Sequence, residues 1–305
     1  MDQEFAAIDI GSNSTNLLIV DQSGKTLERV VRSTRLGANL ATTGALSADA
    51  IRRTLDCLSE YESLIKQHNV SHRRTVATAA CRAANNTNQF FADVKKISST
   101  EPELISGEIE GALSFVGATS ALDEKMSTLV IDIGGASTEL MVGTETLDFA
   151  VSIPFGAVNI TEAELHRDPP RPEELTNAIS LVSDAVDDVA HNYPLIGHVE
   201  RVVGVAGTIV TVAAVEIGQK TFDPSALHKL KLSREAIEDV FRTLATEPLS
   251  DRVFNPGLPR ERADIIVGGC CVLVAVMRRL QISELTVSQY NLLDGLISEL
   301  RKKTS

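Results

Sequence analysis

No apolar stretch of this 305-residue sequence is long enough to cross a lipid bilayer. The longest, residues 265–277, has 13 residues and includes two glycines, whereas a membrane-spanning helix needs about 20. The stretch therefore predicts a buried helix, and no membrane partner is expected. The acidic N-terminus, MDQE, leads directly into a predicted strand and does not have the pattern of a signal peptide.

Cysteine and histidine are scarce and show no metal-binding spacing. The four cysteines, Cys57, Cys81, Cys270 and Cys271, form no CxxC pair. Two of them lie in the predicted buried helix, so we expect reduced core residues in a cytoplasmic protein. The six histidines show no ligand spacing either.

Positive charge is also in deficit, because 29 Lys and Arg stand against 41 Asp and Glu, a net charge of −12. This balance argues against general nucleic-acid binding. Residues 25–96 are the exception, with twelve basic and six acidic residues and a local net charge of +6. The stretch is either a set of solvated faces or a basic track that steers a polyanion.

One short pattern occurs twice. Residues 8–17, IDIGSNSTNL, return 123 positions later at 131–140 as IDIGGASTEL, with seven of ten positions identical. Each copy has an apolar segment that ends in an aspartate, a turn of small polar residues and a second apolar segment. The repeat predicts two related domains that contain the same hairpin.

Such a turn suits phosphate binding. Glycine lets the backbone approach a ligand, successive N–H groups form an anion-binding nest, and hydroxyl groups add donors. The carboxylates of Asp9 and Asp132 suit a hydrated Mg²⁺ ion. A Gly-rich hairpin without a ligand is the alternative for a single copy, but two copies favour phosphate turns that face each other across a cleft.

The remaining apolar pattern predicts an α/β protein. Strands are expected at 5–9, 17–20, 27–31, 75–80, 104–105, 201–205 and 284–288, with a hairpin over 129–151. Helices are expected at 47–66, 106–121, 172–190, 208–217, 233–245, 261–280 and 291–302. The boundary is predicted at 123–127, which gives domains 1–125 and 126–290. Whether the C-terminal helix, 291–305, packs back on the first domain stays open.

Two segments outside the repeat can carry chemistry. In residues 105–112, ISGEIEGA, Ser106 fits a helix cap that places Glu108 and Glu110 in the first turn. The helix dipole explains why an acidic residue such as Glu108 stands at the start of the helix. Glu110 is expected to keep a low pKa and to orient or deprotonate a water molecule. Residues 204–208, GVAGT, predict a strand-to-helix turn whose helix N-terminus can receive phosphate.

Together these motifs resemble the exopolyphosphatase/guanosine pentaphosphate phosphohydrolase (Ppx/GppA) family, in a short two-domain form. The matching segments are DIGSNS (9–14), RLG (35–37), TAACRAAN (78–85), ISGEIE (105–110), DIGGASTE (132–139), GVAGT (204–208) and LPRERAD (258–264). The resemblance implies two duplicated actin-like ATPase (ribonuclease H-like) domains with a cleft between them. It also implies hydrolysis of a terminal phosphoanhydride with Mg²⁺, or Mn²⁺ as an alternative, and a homodimer.

The resemblance also implies residue roles. Glu110 stands at the position of the family's catalytic glutamate. The positions that match phosphate contacts are Asn13, Arg82, Ser137, Gly207 and Thr208, and those that match metal- and water-aligning acids are Asp132 and Glu139. The chemistry of the turns adds Ser12, Gly134 and Gly135 as backbone donors to phosphate, and Asp9 as an acid that assists the metal through water.

The sequence departs from the family at residues 288–295, where SQYNLLDG stands in place of Ser-Asp-x-Gly-Leu-Arg-Glu-Gly. Whether this change affects the substrate or only the packing stays open at this point.

The leading hypothesis is an exopolyphosphatase that releases orthophosphate from the end of inorganic polyphosphate. Hydrolysis of the alarmone pppGpp is the close alternative, and the basic stretch modestly favours the polymer. A sugar kinase or actin-like ATPase is less well supported, since Ser-Gly-x-x-Glu is not the signature of those enzymes. A non-catalytic polyphosphate or nucleotide sensor would be expected to lack Glu110 or Asp132, and both are present.

Overall fold

The computed structural model describes residues 3–98, 100–120, 122 and 125–304. The chain divides into two compact units. Unit 1 consists of Met1–Ser120 and Tyr290–Ser305, and unit 2 consists of Ala121–Gln289. Asp123 and Glu124, which belong to the predicted boundary, lie outside the described residues.

The strands are β1 Phe5–Ile10, β2 Ser14–Val20, β3 Thr26–Ser33, β4 His72–Ala77, β5 Glu103–Leu104, β6 Thr128–Ile133, β7 Thr138–Gly143, β8 Leu147–Ile153, β9 Arg201–Val205, β10 Lys231–Ser233 and β11 Glu284–Val287. The helices are α1 Leu40–Thr43, α2 Ala48–Gln67, α3 Ala79–Ala83, α4 Thr87–Ser98, α5 Gly107–Thr119, α6 Ala157–Glu164, α7 Pro172–Asn192, α8 Ala206–Glu216, α9 Arg234–Thr246, α10 Leu249–Arg252, α11 Ile266–Arg279 and α12 Leu292–Thr304. Short 3-10 turns lie at Pro194–Gly197, Pro224–Leu227 and Arg260–Arg262.

Each unit contains a mixed sheet with the same central arrangement. In unit 1 the strand order is β3-β2-β1-β4-β5, with β1 antiparallel to β2 and parallel to β4. In unit 2 the order is β8-β7-β6-β9-β11-β10, with β6 antiparallel to β7 and parallel to β9. The predicted α/β class is therefore confirmed, and the sequence repeat lies on the first two strands of each sheet.

The repeat extends to the register of the strands. In unit 1 Asp9 of β1 stands opposite Asn16 of β2. In unit 2 the residues 123 positions later, Asp132 and Glu139, stand opposite each other on β6 and β7. The two hairpins thus present equivalent pairs of polar side chains, although only unit 2 places two acids at this position.

The turn inside each hairpin also closes in the same way. The Gly11 N–H donates to the Ser14 carbonyl oxygen at 3.0 Å, and the Gly134 N–H donates to the Ser137 carbonyl oxygen at 3.0 Å. A β-carbon added to Gly11 would lie 3.0 Å from that same Ser14 oxygen, so a side chain would crowd the turn. Glycine at this position is therefore explained by the tightness of the turn.

Strand β1 is apolar along most of its length because helices cover both faces of the unit 1 sheet. Ala6, Ile8 and Ile10 pack in one core with helices α2 and α4. The alternate residues Phe5 and Ala7 pack in a second core with α5 and α12. Strands buried on both faces are expected to read as continuous apolar runs.

Helix α11 forms the centre of the unit 2 core. Its residues are buried from Ile266 to Met277, as the 13-residue apolar run predicted. It begins later than the predicted residue 261, because residues 260–262 form a separate 3-10 turn. All four cysteines are free and buried. Within the described residues, no helix has the length and apolar character needed to span a membrane.

One further sequence expectation was wrong in detail. The strand predicted at 75–80 spans His72–Ala77, and residues 79–83 form helix α3. The polar start of β4 can join the sheet because its arginines have acidic partners: Arg73 pairs with Glu62 and Arg74 with Glu103. Helix α6 and strand β10 were not predicted.

Candidate functional site

Helix α5 carries the predicted catalytic glutamate in its first turn. The Ser106 hydroxyl accepts a hydrogen bond from the Ile109 N–H at 3.3 Å, so the predicted helix cap is present. The Glu110 side chain is largely buried, with 14% of its surface exposed. The cap therefore fixes the start of the helix next to a carboxylate that is shielded from water.

Glu110 forms an ion pair with Arg82, which lies in the last turn of α3. Arg82 Nη1 donates to Glu110 Oε2 at 2.8 Å and to the Ile105 carbonyl oxygen at 2.9 Å. Within the described part of the chain, the N–H groups on Nη2 and Nε of Arg82 have no protein acceptor. Since a guanidinium has five N–H donors, Arg82 can hold Glu110 and still bind an anion.

The expected low pKa of Glu110 was wrong. Burial raises the pKa of the Glu110 carboxyl above its usual range, and the Arg82 guanidinium opposes that rise without cancelling it. The exposed Glu108 behaves as expected for the helix start, because the Ser106 hydroxyl lowers its pKa. At Glu110 the loss of hydration therefore affects the pKa more than the helix N-terminus does. A raised pKa makes the carboxylate a better proton acceptor.

The predicted phosphate turn of unit 1 is stabilised by hydrogen bonds from the RLG segment, residues 35–37. The Arg35 N–H donates to the Asn13 carbonyl oxygen and the Gly37 N–H donates to the Ser12 carbonyl oxygen, both at 2.8 Å. A β-carbon on Gly37 would lie 3.1 Å from Ser12 Cβ. Ser12 and Asn13 are buried, and Oδ1 of Asn13 has no hydrogen-bond partner within the described residues. The turn is thus fixed while Asn13 retains a buried acceptor.

The predicted phosphate turn of unit 2 contacts the start of helix α6. The Ala157 N–H donates to the Gly134 carbonyl oxygen at 2.9 Å, and the Val158 N–H donates to the Gly135 carbonyl oxygen at 2.7 Å. A β-carbon on Gly156 would lie 2.6 Å from the Gly135 carbonyl carbon. Gly156 is therefore required for this close approach, which the sequence pattern did not reveal.

The N–H groups of this turn are available for a ligand. Among the residues that the structure describes, those of Gly135, Ala136 and Ser137 have no acceptor in the protein. Three successive N–H groups in a turn can form a nest for an anion. These donors suit the phosphate-binding role predicted for Gly135 and Ser137, which stays a prediction. The Gly134 N–H, predicted as a further donor, is instead used inside the turn, where it bonds to the Ser137 carbonyl oxygen.

The predicted strand-to-helix turn at Gly207 is also present. Strand β9 ends at Val205 and helix α8 begins at Ala206, whose φ of +66° lies in the left-handed region. Such a conformation is strained for a residue with a side chain. The next residues, Gly207 and the buried Thr208, form the first turn of the helix.

Arg262 lies directly over Gly207 and was not assigned a role from the sequence. A β-carbon on Gly207 would lie 1.9 Å from Arg262 Nη1 and 2.3 Å from Cζ. Burial lowers the pKa of the Arg262 guanidinium, and the negative charge of Glu261 opposes this shift. Within the described residues, the guanidinium N–H groups have no hydrogen-bond acceptor in the protein. A partly buried guanidinium whose N–H groups have no acceptor is expected to favour a bound anion. Arg262 belongs to the LPRERAD motif, but its proximity to Gly207 depends on the fold.

The candidate metal ligands are all oxygen donors. Glu139 is 2% exposed and accepts a hydrogen bond from the Ser152 hydroxyl at 2.7 Å, opposite Asp132 in the register. In unit 1 the Asn16 amide donates to Asp9 Oδ2 at 3.0 Å. The described residues contain no group of three or more His, Cys, Asp or Glu arranged to hold a metal. Because Mg²⁺ needs only one or two carboxylates when water and phosphate complete its shell, these acids fit the ion chemically, and the site stays a prediction.

From Tyr290 onward, the altered segment 288–295 packs within unit 1. Asp294 Oδ2 accepts from the Asn291 N–H at 2.8 Å, and Asn291 Oδ1 accepts from the Leu293 N–H at 3.0 Å. Asp294 Oδ1 pairs with the Arg29 guanidinium of β3. Burial raises the pKa of the Asp294 carboxyl, and the positive charge of Arg29 opposes this rise. These residues begin helix α12 and attach it to the sheet.

The basic stretch does not form a band of unneutralised charge. Eight of its twelve cations lie within 4.0 Å of a carboxylate: Arg29, Arg32, Arg52, Arg73, Arg74, Arg82, Lys95 and Lys96. Most of this positive charge is therefore compensated locally, which weakens the argument for a polyanion track.

The predicted site residues divide between the two units. Unit 1 contains Asp9, Ser12, Asn13, Arg82 and Glu110, and unit 2 contains Asp132, Gly134, Gly135, Ser137, Glu139, Gly207 and Thr208. Direct contact is seen between Arg82 and Glu110. The functional roles of these residues remain predictions.

The chain is similar in sequence to known proteins over nearly its whole length. The model of the Ppx/GppA phosphatase family matches residues 18–304. Exopolyphosphatase 2 of Mycobacterium tuberculosis is 33% identical over 97% of this chain and 98% of its own length. Guanosine-5'-triphosphate,3'-diphosphate pyrophosphatase of Photobacterium profundum is 31% identical over 98% of this chain, and this chain spans 59% of that longer relative.

The three-dimensional similarity is equally extensive. The crystal structure of the Aquifex aeolicus Ppx/GppA family member has 30% sequence identity and a TM-score of 0.83, with 100% of both chains covered. The predicted resemblance, the α/β fold and the enzyme class of phosphoanhydride hydrolases are thereby confirmed. The chain belongs to the Ppx/GppA phosphatase family.

Proposed function

We propose that this protein is an exopolyphosphatase that hydrolyses the terminal phosphoanhydride of inorganic polyphosphate and releases orthophosphate. The observation that carries the proposal is the partly buried ion pair of Glu110 and Arg82. It combines a proton acceptor with a guanidinium whose remaining N–H groups suit a phosphoryl group. Phosphoryl transfer depends mainly on positioning and charge stabilisation, and this pair can supply both.

Within this proposal the unit 1 residues act on the attacking water and the transferred group. Glu110 accepts a proton from the water, and its raised pKa brings it closer to the pH at which it works. Arg82 binds the phosphoryl oxygens through Nη2 and Nε while Nη1 keeps Glu110 in place. No covalent intermediate with the protein is required.

The unit 2 residues bind the phosphate chain. The N–H groups of Gly135 and Ser137 and the first turn of α8 at Gly207 offer donors, and Arg262 adds a positive charge beside Gly207. A bound Mg²⁺ or Mn²⁺ ion would neutralise charge that develops on the phosphates. Asp132 and Glu139 are the acids proposed to hold it, with Asp9 assisting through water.

Hydrolysis of pppGpp is the second candidate, because this substrate presents the same terminal phosphoanhydride. The curated relative with that specificity in its name is 31% identical but is matched over 59% of its length. The relative named exopolyphosphatase is matched over 98% of its length. The fuller correspondence supports polyphosphate as the preferred substrate.

A phosphate-release assay with purified protein tests the substrate. Short polyphosphate, long polyphosphate, pppGpp and ATP are compared, each with Mg²⁺, with Mn²⁺ and after chelation by EDTA. We expect release from polyphosphate to exceed release from the other substrates and to require the metal. A preference for pppGpp would assign the protein to alarmone metabolism. Full activity in EDTA would contradict the proposed requirement for a metal ion.

Replacing Arg262 with methionine is expected to lower kcat/KM for polyphosphate by about 10- to 100-fold, since charge-assisted hydrogen bonds contribute roughly 1.5–3 kcal/mol each. Methionine keeps the apolar part of the contact with Gly207 but removes the charge. Steady-state kinetics on folded protein provide the measurement. Arg279→Met is the matched control, because Arg279 is exposed and pairs with Asp187. Equal kinetics for Arg262→Met and the wild type would exclude a phosphate role for Arg262.

We also propose that the protein acts in the cytoplasm as a homodimer. The four cysteines are free thiols, which is typical of proteins in a reducing compartment. The dimer follows from the family resemblance and is tested by light scattering after size-exclusion chromatography. A monomer at all concentrations would contradict it.

A further inference from the structure

We propose that helix α12 positions the catalytic carboxylate. Gly117 on α5 and Gly295 on α12 bring the backbones of the two helices into contact, and this contact fixes the place of Glu110. The inference rests on the catalytic role proposed above for Glu110. It assigns a function to the altered segment 288–295, which the sequence alone left open between substrate binding and packing.

The two glycines form a reciprocal contact. A β-carbon on Gly295 would lie 2.0 Å from the Leu113 carbonyl oxygen of α5. A β-carbon on Gly117 would lie 1.9 Å from the carbonyl oxygen of Asn291, at the start of α12. The two contacts are four positions apart on each helix, and the order of the contacts is reversed from one helix to the other. The helices are therefore antiparallel, and no side chain separates them at these points.

This contact lies close to Glu110 along α5. Leu113, whose carbonyl oxygen faces Gly295, is three residues after Glu110 and so lies almost one turn away on the same helix. Ordinary van der Waals contact begins at about 3.4 Å, so an alanine at residue 295 would force the backbones apart by about 1 Å or more. Because the first turn of α5 is a continuous hydrogen-bonded segment, Glu110 would move with it.

Helix α12 is itself fixed at both ends. Near its start, Asp294 pairs with Arg29 of β3. Near its other end, Glu299 Oε2 accepts from Arg74 Nη1 at 2.6 Å. Arg74 also donates to Glu103 of β5 at 2.8–3.0 Å, and β5 leads directly into the Ser106 cap. One arginine of β4 thus connects α12 to the segment that precedes the catalytic turn.

Replacing Gly295 with alanine tests the proposal. We expect kcat to fall by up to about 10²-fold, the loss that a misplacement of roughly 1 Å can cause. KM is expected to stay within about two-fold, because uniform binding by the phosphate turns is not altered. Leu296→Ala is the matched control: Leu296 is fully buried on the same helix, so its truncation lowers stability while leaving the glycine contact intact. We expect its kcat to stay near the wild-type value.

A double-mutant cycle separates positioning from a general structural role. If the contact acts through Glu110, Gly295→Ala should lower kcat in the wild type but leave the residual rate of Glu110→Gln unchanged. An equal loss in both backgrounds would overturn the proposal. Full activity of Glu110→Gln would refute the role of Glu110 and the positioning role with it. Wild-type kcat in Gly295→Ala beside an impaired Glu110→Gln would refute the positioning role alone.

A milder variant decides the question if Gly295→Ala does not fold. Glu299→Ala removes one half-exposed partner of Arg74 and leaves the core intact. We expect a loss in kcat of up to about five-fold, in keeping with the strength of a partly exposed ion pair. As before, this loss should be absent in the Glu110→Gln background. An unchanged kcat for Glu299→Ala would count against the connection through Arg74 and, with Gly295→Ala unfolded, against the positioning role.

Discussion

Replacing Glu110 with glutamine is expected to lower kcat at least ~10²-fold, because an amide cannot accept the proton of the attacking water. The glutamine oxygen can still accept the hydrogen bond that Arg82 Nη1 donates to Oε2, so the geometry around Arg82 should persist. KM for polyphosphate is therefore expected to change little. Initial rates of phosphate release with saturating metal provide the measurement.

Glu108 offers the matched control for this change. It lies in the same first turn of α5, carries the same charge and is exposed, with a pKa lowered by Ser106. Glu108→Gln should retain nearly the wild-type kcat. Comparable losses in both variants would mean that the charge at the helix start matters, and not the specific carboxylate of Glu110.

Glu110→Gln is expected not to destabilise the protein at pH 7. Burial raises the pKa of Glu110 in the folded state, so the folded form holds the proton more tightly than the unfolded chain. The stability that this group provides is therefore present at low pH and is lost as the pH rises through the raised pKa. Glutamine resembles the protonated carboxyl, so urea unfolding at pH 7 should give a free energy of unfolding equal to or above that of the wild type. A clear loss of stability would show that the ion pair with Arg82 outweighs the burial of Glu110.

Much of the fold could be predicted because it is encoded locally. The repeat at 8–17 and 131–140 identified two equivalent hairpins, and the structure shows the same register in both. The apolar run at 265–277 identified the central helix of unit 2. Turn residues and apolar spacing specify such features within short segments, which is why the start of β4, with its polar residues, was misplaced.

The details of the candidate site depend on contacts that the sequence does not show. The raised pKa of Glu110 comes from its burial, which only the packed structure determines. The position of Arg262 over Gly207 and the pairing of Asp294 with Arg29 join residues far apart in the chain. The sequence motifs supplied the residues themselves, whereas their partners and protonation depend on tertiary structure.

Arg82→Gln is expected to reduce kcat/KM by about 10²- to 10³-fold, the usual effect of removing one well-placed donor to a developing charge. It also removes the positive charge that holds down the pKa of Glu110. Since Glu110 must be deprotonated to accept a proton from water, the acid limb of the profile of log kcat against pH should move to higher pH.

The pH profile distinguishes this effect from a simple loss of binding. Arg73→Gln is the control, because Arg73 lies on β4, forms an ion pair with Glu62 and makes no contact with Glu110 in the described structure. It removes the same charge from the same unit, yet its acid limb should coincide with that of the wild type. If the limb of Arg82→Gln also coincides with that of the wild type, Glu110 does not control the acid side of the reaction. A shift confined to Arg82→Gln would show that one guanidinium both binds the phosphoryl group and adjusts the carboxylate that activates water.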